Sequence, residues 1–388
     1  MTRLAIVRQK YNPSGGAERI VSAVLAQLGQ QAELEPVLIT RNWEALDGVK
    51  VHRVNPFYLG SVWRDWGFAR AARETWQRLG ADLVQSHERT PGCHIFRAGD
   101  GVHAAWLAAR TQGQGWRARL AIALNPYHRF KCAIEREMFQ HPALQAVICC
   151  SHMVRNDVLR YFPLAPERCV VIHNGVNSDF FNPQEASATR QALRRQYGIS
   201  DESPLLVYVG SGFERKGVAQ AINAIVPHRA VHLMVVGADK QLARYRQLAA
   251  TLGVETRVHF SGAQRDVRAY YGMADGFILP SIYEPFGSVV AEAMACALPI
   301  LTSTRCGAAE LVQEGSTGWL AAPQDTEAWQ RNVGAWLAAR ARWPEIGAAA
   351  RLRVQDLTEE HMVAQMLALY ARILEQRAHG QAIEGPLP

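Results

Sequence analysis

No run of about 18 consecutive apolar residues occurs anywhere in the 388-residue chain, so no segment is expected to cross a membrane as a helix. The first apolar run, Leu4–Val7, is short and is followed by Arg8 and Lys10, which does not read as a secretory signal. The seven cysteines, at 93, 132, 149, 150, 169, 296 and 306, form no CxxC pair, and their number is odd. Reduced thiols in a cytosolic protein are expected, rather than disulfides or a zinc site. Internal repeats and low-complexity tracts are missing too. Several chemical fingerprints also fail. The sequence Gly210-Ser-Gly212-Phe-Glu-Arg215 puts arginine at the third glycine of a dinucleotide loop, and Walker A, DxD, HExxH and GxSxG are absent. Metal-dependent sugar transfer and zinc proteolysis therefore lack their residues, and no metal site is expected.

Acidic residues are absent from one long stretch, Gly101 to Ile134. It carries Arg110, Arg117, Arg119, Arg129 and Lys131 among Trp106, Trp116, Tyr127 and Phe130. Cations mixed with large amphipathic aromatics read either as a segment resting on an anionic membrane or as a solvated helical face with a few core aromatics. No nucleic-acid motif accompanies the charge, so nucleic acid is not an expected partner. The wider balance points the same way. The first 179 residues hold 22 basic and 15 acidic side chains, whereas the remainder holds 20 of each, so the whole excess of +7 lies in the first half. One half is thus expected to meet an anionic surface or acceptor.

What is present suits two packed α/β domains: 48 % of residues are apolar, and short apolar runs alternate with helical patterns. Strands are expected at Leu4–Val7, Val37–Thr40, Val49–Val54, Leu83–Ser86, Ala146–Cys150 and Cys169–His173. A second series follows at Leu205–Val209, His232–Val236, Val258–Ser261, Gly276–Leu279, Pro299–Ser303 and Trp319–Ala321. Helices over Ile20–Leu28, Phe68–Leu79, Val218–Ile225 and Thr326–Ala341 alternate with them, which implies parallel sheets covered on both faces. The boundaries read 1–180, 181–357 and an amphipathic terminal segment, 358–388, that could pack back on the first domain.

The most informative stretch is Leu279–Glu292, a strand end, a short loop and a helix expected over Phe286–Ala297. Such a unit points the amides of Phe286, Gly287 and Ser288 and a positive dipole end at an anion. Glu284 and Glu292, about 5.4 Å apart along the axis, then suit hydroxyl groups flanking a diphosphate, as in a nucleotide sugar. Solvated charges at a helix end are the alternative. Gly210–Gly217 is a second strand–loop–helix unit. Its Arg215 and Lys216 could neutralise a leaving diphosphate, or form an exposed basic turn. Near the start, Gly15 and Gly16 permit close backbone approach to a ligand.

Taken together, YEPFGSVVAEAMACALPI at 283–300, GSGFERKG at 210–217, GGAER at 15–19 and HNGV at 173–176 resemble the family 4 retaining glycosyltransferases along nearly the whole chain. The resemblance implies the GT-B fold, two Rossmann-like domains facing each other across a cleft and closing over the donor. The likeness is greatest to the branch that adds a hexose, glucose from UDP-glucose, to a heptose of the lipopolysaccharide core at the cytoplasmic face of the inner membrane. By motif, Glu284 would hold donor-sugar hydroxyls and Glu292 the ribose, while Arg215, Lys216 and the Gly15–Gly16 amides would meet the phosphates. Backbone near Gly262–Arg265 would contact the base, and either Asp100 or His103 the donor sugar. Many relatives place arginine where this chain has Ser211. No cofactor beyond the UDP-sugar donor is implied. Another glycan or lipid-linked acceptor, a nucleotide-sugar epimerase and a non-catalytic binding protein are the competing readings.

Overall fold

The computed structural model describes residues 2–10, 21–22, 24–26, 28, 33–43 and 48–378. Gly15, Gly16 and part of the helix expected over Ile20–Leu28 lie outside the described residues; Val21, Ser22, Val24, Leu25, Ala26 and Leu28 are helical. The chain divides into two compact units, Met1–Asn174 with Glu359–Pro388, and Gly175–Thr358.

The first unit is built on seven parallel strands: β1 (Thr2–Val7), β2 (Leu34–Thr40), β3 (Lys50–Arg53), β4 (Leu83–Ser86), β5 (Ile95–Arg97), β6 (Ala146–Cys149) and β7 (Cys169–Val171). Their spatial order is β3-β2-β1-β4-β5-β6-β7, so the winding direction reverses between β1 and β4. Leu4–Val7, Leu83–Ser86 and Ala146–Cys149 are buried throughout, as a sheet covered on both faces demands. One face packs Leu4, Ile6, Leu38, Leu83, Ile95 and Ile148 against Val21, Val24, Leu25 and Leu28 and against the C-terminal helix Glu359–Ala378. That helix supplies Met362, Val363, Met366, Leu369, Tyr370 and Ile373, all buried at its heptad-like spacing. It therefore completes the core of the unit that the chain began.

The second unit has six parallel strands: β8 (Leu205–Val209), β9 (His232–Val236), β10 (Val258–Gly262), β11 (Gly276–Leu279), β12 (Ile300–Ser303) and β13 (Gly318–Ala321). The order β10-β9-β8-β11-β12-β13 reverses between β8 and β11. Ligands of open parallel sheets bind beyond the carboxyl ends of strands at such reversals. Each unit thus has one favoured place for a site.

Several element limits differ from the expectation. Strand β5 was not anticipated, since only three residues, one of them arginine, pair there. The helix expected from Phe68 begins at Gly60. The helix expected from Phe286 begins at Ser288, because Gly287 has φ +89°, outside the helical region. The acid-free stretch forms two helices, His103–Thr111 and Trp116–Leu124, and opens a third, Pro126–Gln140. Among the described residues no helix is long and apolar enough to span a membrane.

Candidate active site

In the second unit the loops after β8 and β11 meet at the sheet reversal. Three glycines shape the first loop. Gly210 leaves room for Lys216 to fold back, since a Cβ there would lie 2.6 Å from Lys216 Cδ. Gly212, at φ +76°, starts the single turn Phe213–Lys216, whose Phe213 amide donates to Asp239 Oδ2 at 2.8 Å. Gly217, at φ +78°, ends the turn against the end of β11, where a Cβ would fall 2.0 Å from the Pro280 carbonyl. Ile282 N then donates to Arg215 O at 2.9 Å, locking the two loops together.

This docking brings together three charges far apart in sequence. Arg215 Nη1 donates to Glu284 Oε2 at 2.8 Å and to the Tyr283 carbonyl at 3.1 Å, and Lys216 Nζ lies 3.5 Å from the same Oε2. Burial opposes ionisation of Glu284, but Lys216 and Arg215 outweigh it, so the carboxyl sits below its ordinary value. Its side chain is 13 % exposed and that of Arg215 38 %, which leaves the guanidinium reachable from solvent. Two cations against one carboxylate leave a local positive charge.

The loop after β12 grips Glu284 from the other side. Glu284 N donates to Arg305 O at 2.9 Å, Gly307 N to Glu284 O at 2.8 Å and Ala308 N to Phe286 O at 2.7 Å. Cys306 Sγ lies 3.1 Å from the Phe286 carbonyl, and a Cβ on Gly287 would come within 2.7 Å of that sulfur. Phe286 is buried, Ser288 is half-buried at the start of the Ser288–Ala295 helix, and Glu292 is buried one turn on. Tyr271 OH donates to Glu292 Oε2 at 2.9 Å, fixing a carboxylate that the sequence placed only by spacing. Gly262 ends β10 at φ +73°, its carbonyl accepting from Gly237 N at 2.9 Å, and Arg265 is exposed beyond it. Asp239 and Tyr271 were not singled out from sequence, and Cys306 only as part of the loop after Pro299–Ser303. Only folding brings them here, and no motif marks Asp239 or Tyr271.

Asp100 and His103 lie in the first unit, beyond β5. Asp100 is exposed in a turn, whereas His103 begins the His103–Thr111 helix. That start is capped from a distance: both oxygens of Glu135 accept from His103 N at 3.1 Å, and Glu135 pairs with Arg89 Nε at 2.9 Å. Glu135 is the first acid after the acid-free stretch, the one signal that could have found it. His103 Nε2 lies 3.2 Å from His128 Nδ1, with Trp106 packed alongside. Burial, with Arg89, His128 and Lys131 nearby, lowers the imidazole to about 3, so it is neutral at physiological pH. Lys131, expected to contribute to an exposed basic face, instead pairs with Asp65 at 2.8 Å and is largely buried.

Comparison with known proteins agrees with this architecture. Residues 14–180 match Glycosyltransferase Family 4, and residues 189–353 match Glycosyl transferases group 1. Lipopolysaccharide glucosyltransferase WaaG of Escherichia coli (strain K12) is 30% identical over 243 residues, covering 61% of this chain and 63% of WaaG. The chain thus spans less than two-thirds of that relative in the alignment. The crystal structure of WaaG superposes with a TM-score of 0.78 at 24% identity, over 92% of this chain and 98% of that one. Alpha-maltose-1-phosphate synthase of Mycolicibacterium smegmatis (strain ATCC 700084 / mc(2)155) is 27% identical over 96% of this chain and 99% of its own. Anabaena Alr3699/HepE, solved in complex with UDP-glucose, gives a TM-score of 0.72 at 18% identity, covering 96% of this chain and 100% of that one. With both halves matched and the same two-sheet architecture throughout, the chain belongs to the family 4 glycosyltransferases of the GT-B fold.

Proposed function

We propose that this protein transfers glucose from UDP-glucose to a heptose of the lipopolysaccharide core, with retention at the anomeric carbon and without a metal. The observation that carries the reading is the Arg215–Lys216–Glu284 cluster at the sheet reversal beside the Ser288–Ala295 helix start. A diphosphate leaving group gains negative charge in the transition state, and two fixed cations aided by a helix dipole stabilise it as a divalent ion would. Glu284, held ionised by the same cations, accepts hydrogen bonds from donor-sugar hydroxyls. The acceptor hydroxyl attacks on the face the nucleotide leaves, and its proton passes to the departing phosphate oxygen. Glu292 takes the ribose hydroxyls. His103, neutral and rigidly mounted, is suited to a sugar hydroxyl rather than to acid catalysis. The likeness to a lipopolysaccharide glucosyltransferase supports glucose as the sugar and lipopolysaccharide as the acceptor, and the HepE complex supports UDP-glucose.

A lipid-anchored acceptor calls for a protein that rests on the membrane. The Trp116–Leu124 helix has no buried residue; Trp116 is 69% and Leu124 62% exposed, with Arg117 and Arg119 between them. Phe57, Leu59, Trp63 and Trp66 form a second exposed apolar group near the start of the Gly60–Arg78 helix. Asp65 ties that helix to the Pro126–Gln140 helix through Lys131 and Tyr127 OH. Both groups suit the headgroup region of an anionic bilayer.

Thermal stabilisation across a panel of nucleotide sugars tests the donor: UDP-glucose at a hundred times its Kd is expected to add about 2.7 kcal/mol. No shift with any UDP-sugar, or epimerisation of UDP-glucose without acceptor, removes the assignment. Glu284→Ala and Lys216→Ala are each expected to cut transfer by roughly a hundredfold or more with the fold retained, and chelator is expected to leave the rate unchanged. Neutralising Arg117, Arg119 and Arg129 is expected to weaken binding to anionic vesicles by about 3 kcal/mol, roughly a hundredfold. Unaltered vesicle binding assigns that face to solvent.

A further inference from the structure

The first unit has its own sheet reversal, between β1 and β4, and the loops beyond those two strands carry a charged group with no role so far. Glu88, two residues past β4, is held firmly. Ser86, itself buried, accepts from Glu88 N at 3.1 Å and donates to Glu88 O at 2.7 Å, and it also reaches Thr90 Oγ1 at 3.2 Å. Below, Tyr370 of the C-terminal helix donates to Gln85 Oε1 at 2.7 Å, and Gln85 Nε2 lies 3.0 Å from His87 Nε2. Across the reversal, Gln9 N donates to Glu88 Oε1 at 3.0 Å and Arg8 Nη1 lies 3.5 Å from the same oxygen. Both contacts fall on one carboxylate oxygen. The side chain is 23% exposed, and Oε2 has no partner among the described residues. A carboxylate fixed at its backbone, held at one oxygen and open at the other, stands where open α/β sheets receive ligands.

We infer that Glu88 binds the acceptor glycan: Oε2 accepts a hydrogen bond from an acceptor hydroxyl, while Arg8 and the Gln9 amide hold the carboxylate in place. This rests on the transferase reading above and deepens it, since nothing else in the site described so far recognises an acceptor. A sugar hydroxyl is the fitting partner because an ionised carboxylate accepts only, and neighbouring hydroxyls of a glycan donate. The charged groups around Glu88 are Arg8, Asp100 and Lys131. Burial raises its carboxyl above the ordinary range, with Asp100 adding to this and Arg8 opposing it, so the ionised form is less stable in the folded protein than in water. Carboxylates perturbed in this way are commoner at ligand sites than elsewhere, and here the shift accompanies the geometry already described. The acceptor proton still leaves with the phosphate; Glu88 orients the hydroxyl and does not carry the proton away.

The test uses full-length protein, UDP-glucose and a deacylated core oligosaccharide ending in heptose. Glu88→Gln keeps the shape and removes the charge, and Glu88→Asp keeps the charge on a shorter stem. For Glu88→Gln we expect the acceptor KM to rise tenfold or more while the Kd for UDP-glucose stays within twofold and the melting temperature holds. Glu88→Asp is expected to restore part of the acceptor KM. An unchanged acceptor KM in Glu88→Gln overturns the inference alone. So does a joint loss of donor affinity and melting temperature, which marks a staple between the β1 and β4 loops. Wild-type protein that binds UDP-glucose yet transfers nothing to this oligosaccharide sinks the acceptor assignment itself.

Discussion

At the scale of single residues, Glu284 joins function to stability in a way that pH exposes. Its folded carboxyl lies below the ordinary value of 4.5 despite burial, because Lys216 and Arg215 favour the charged form. A group shifted down on folding contributes stability at pH values above its unfolded value, and that contribution fades as pH falls through the folded one. Glu284→Gln is therefore expected to be less stable than wild type at pH 7, with the gap narrowing as pH falls below 4.5. Urea unfolding at both pH values measures it. A gap that persists in acid shows that the ion cluster is not its source. Gly217 and Gly212 offer a second contrast. Both have positive φ, but a Cβ on Gly217 meets the Pro280 carbonyl whereas one on Gly212 meets open space. Gly212→Ala is expected to cost about 1–2 kcal/mol from backbone conformation alone. Gly217→Ala is expected to cost more and to separate the two site loops, which a combined denaturation and transfer assay would reveal.

At the scale of elements, the strands beside the second unit's reversal are fixed from below as well as above. Arg194, fully buried, donates to the Met273, Ser200 and Ser203 carbonyls and to Asp275 Oδ2 at 2.8 Å. The same Asp275 oxygen accepts from Leu205 N at 2.8 Å, so one ion pair joins the start of β8 to the residue before β11. Arg190 still pairs with Asp275 Oδ1 at 2.5 Å in Arg194→Ala, but the Met273, Ser200 and Ser203 carbonyls lose their donor, and the change is expected to cost about 2–3 kcal/mol; a loss under 1 kcal/mol in chemical denaturation refutes that account. These elements differ in how plainly the sequence announces them. Leu205–Val209 and Gly276–Leu279 are apolar at nearly every position between glycine, proline or charge, and the structure reproduces both limits. Strand β5 was missed because Ile95–Arg97 is too short to show a period. The Gly60–Arg78 helix was cut short because its first turns expose Trp63 and Trp66, so no inner face stands out there. In the candidate site, Arg215, Lys216 and Glu284 were legible as pieces of two strand–loop–helix units. Their contact was not, because nearly 70 residues separate them. Tyr271 carries no motif at all and gains meaning only through the backbone that delivers it, as does the contact of Cys306 with Phe286 and Gly287.

At the scale of the whole molecule, the two units are not two successive lengths of chain. The chain leaves the first unit after Asn174 and returns to it at Glu359, and just inside the second unit Val176 N donates to Leu357 O at 2.7 Å. The returning helix places Met366, Leu369 and Ile373 in the first unit's core and ties Arg97 Nη1 to Met366 Sδ at 3.3 Å. A chain ending at Thr358 therefore keeps the second unit whole and strips one face of the first. It is expected to retain UDP-glucose-responsive melting of the second unit while the first unit aggregates, as light scattering during heating would show. Synthesis on the ribosome meets the same arrangement in time. The opening sheet emerges first but lacks its C-terminal cover until the intervening unit has been translated, roughly ten to forty seconds later at about 5–20 residues per second. During that interval a nascent surface lined by Leu4, Ile6 and Leu38 stays open to chaperones. Slowing translation within residues 175–358 should lengthen its exposure and lower the yield of active enzyme.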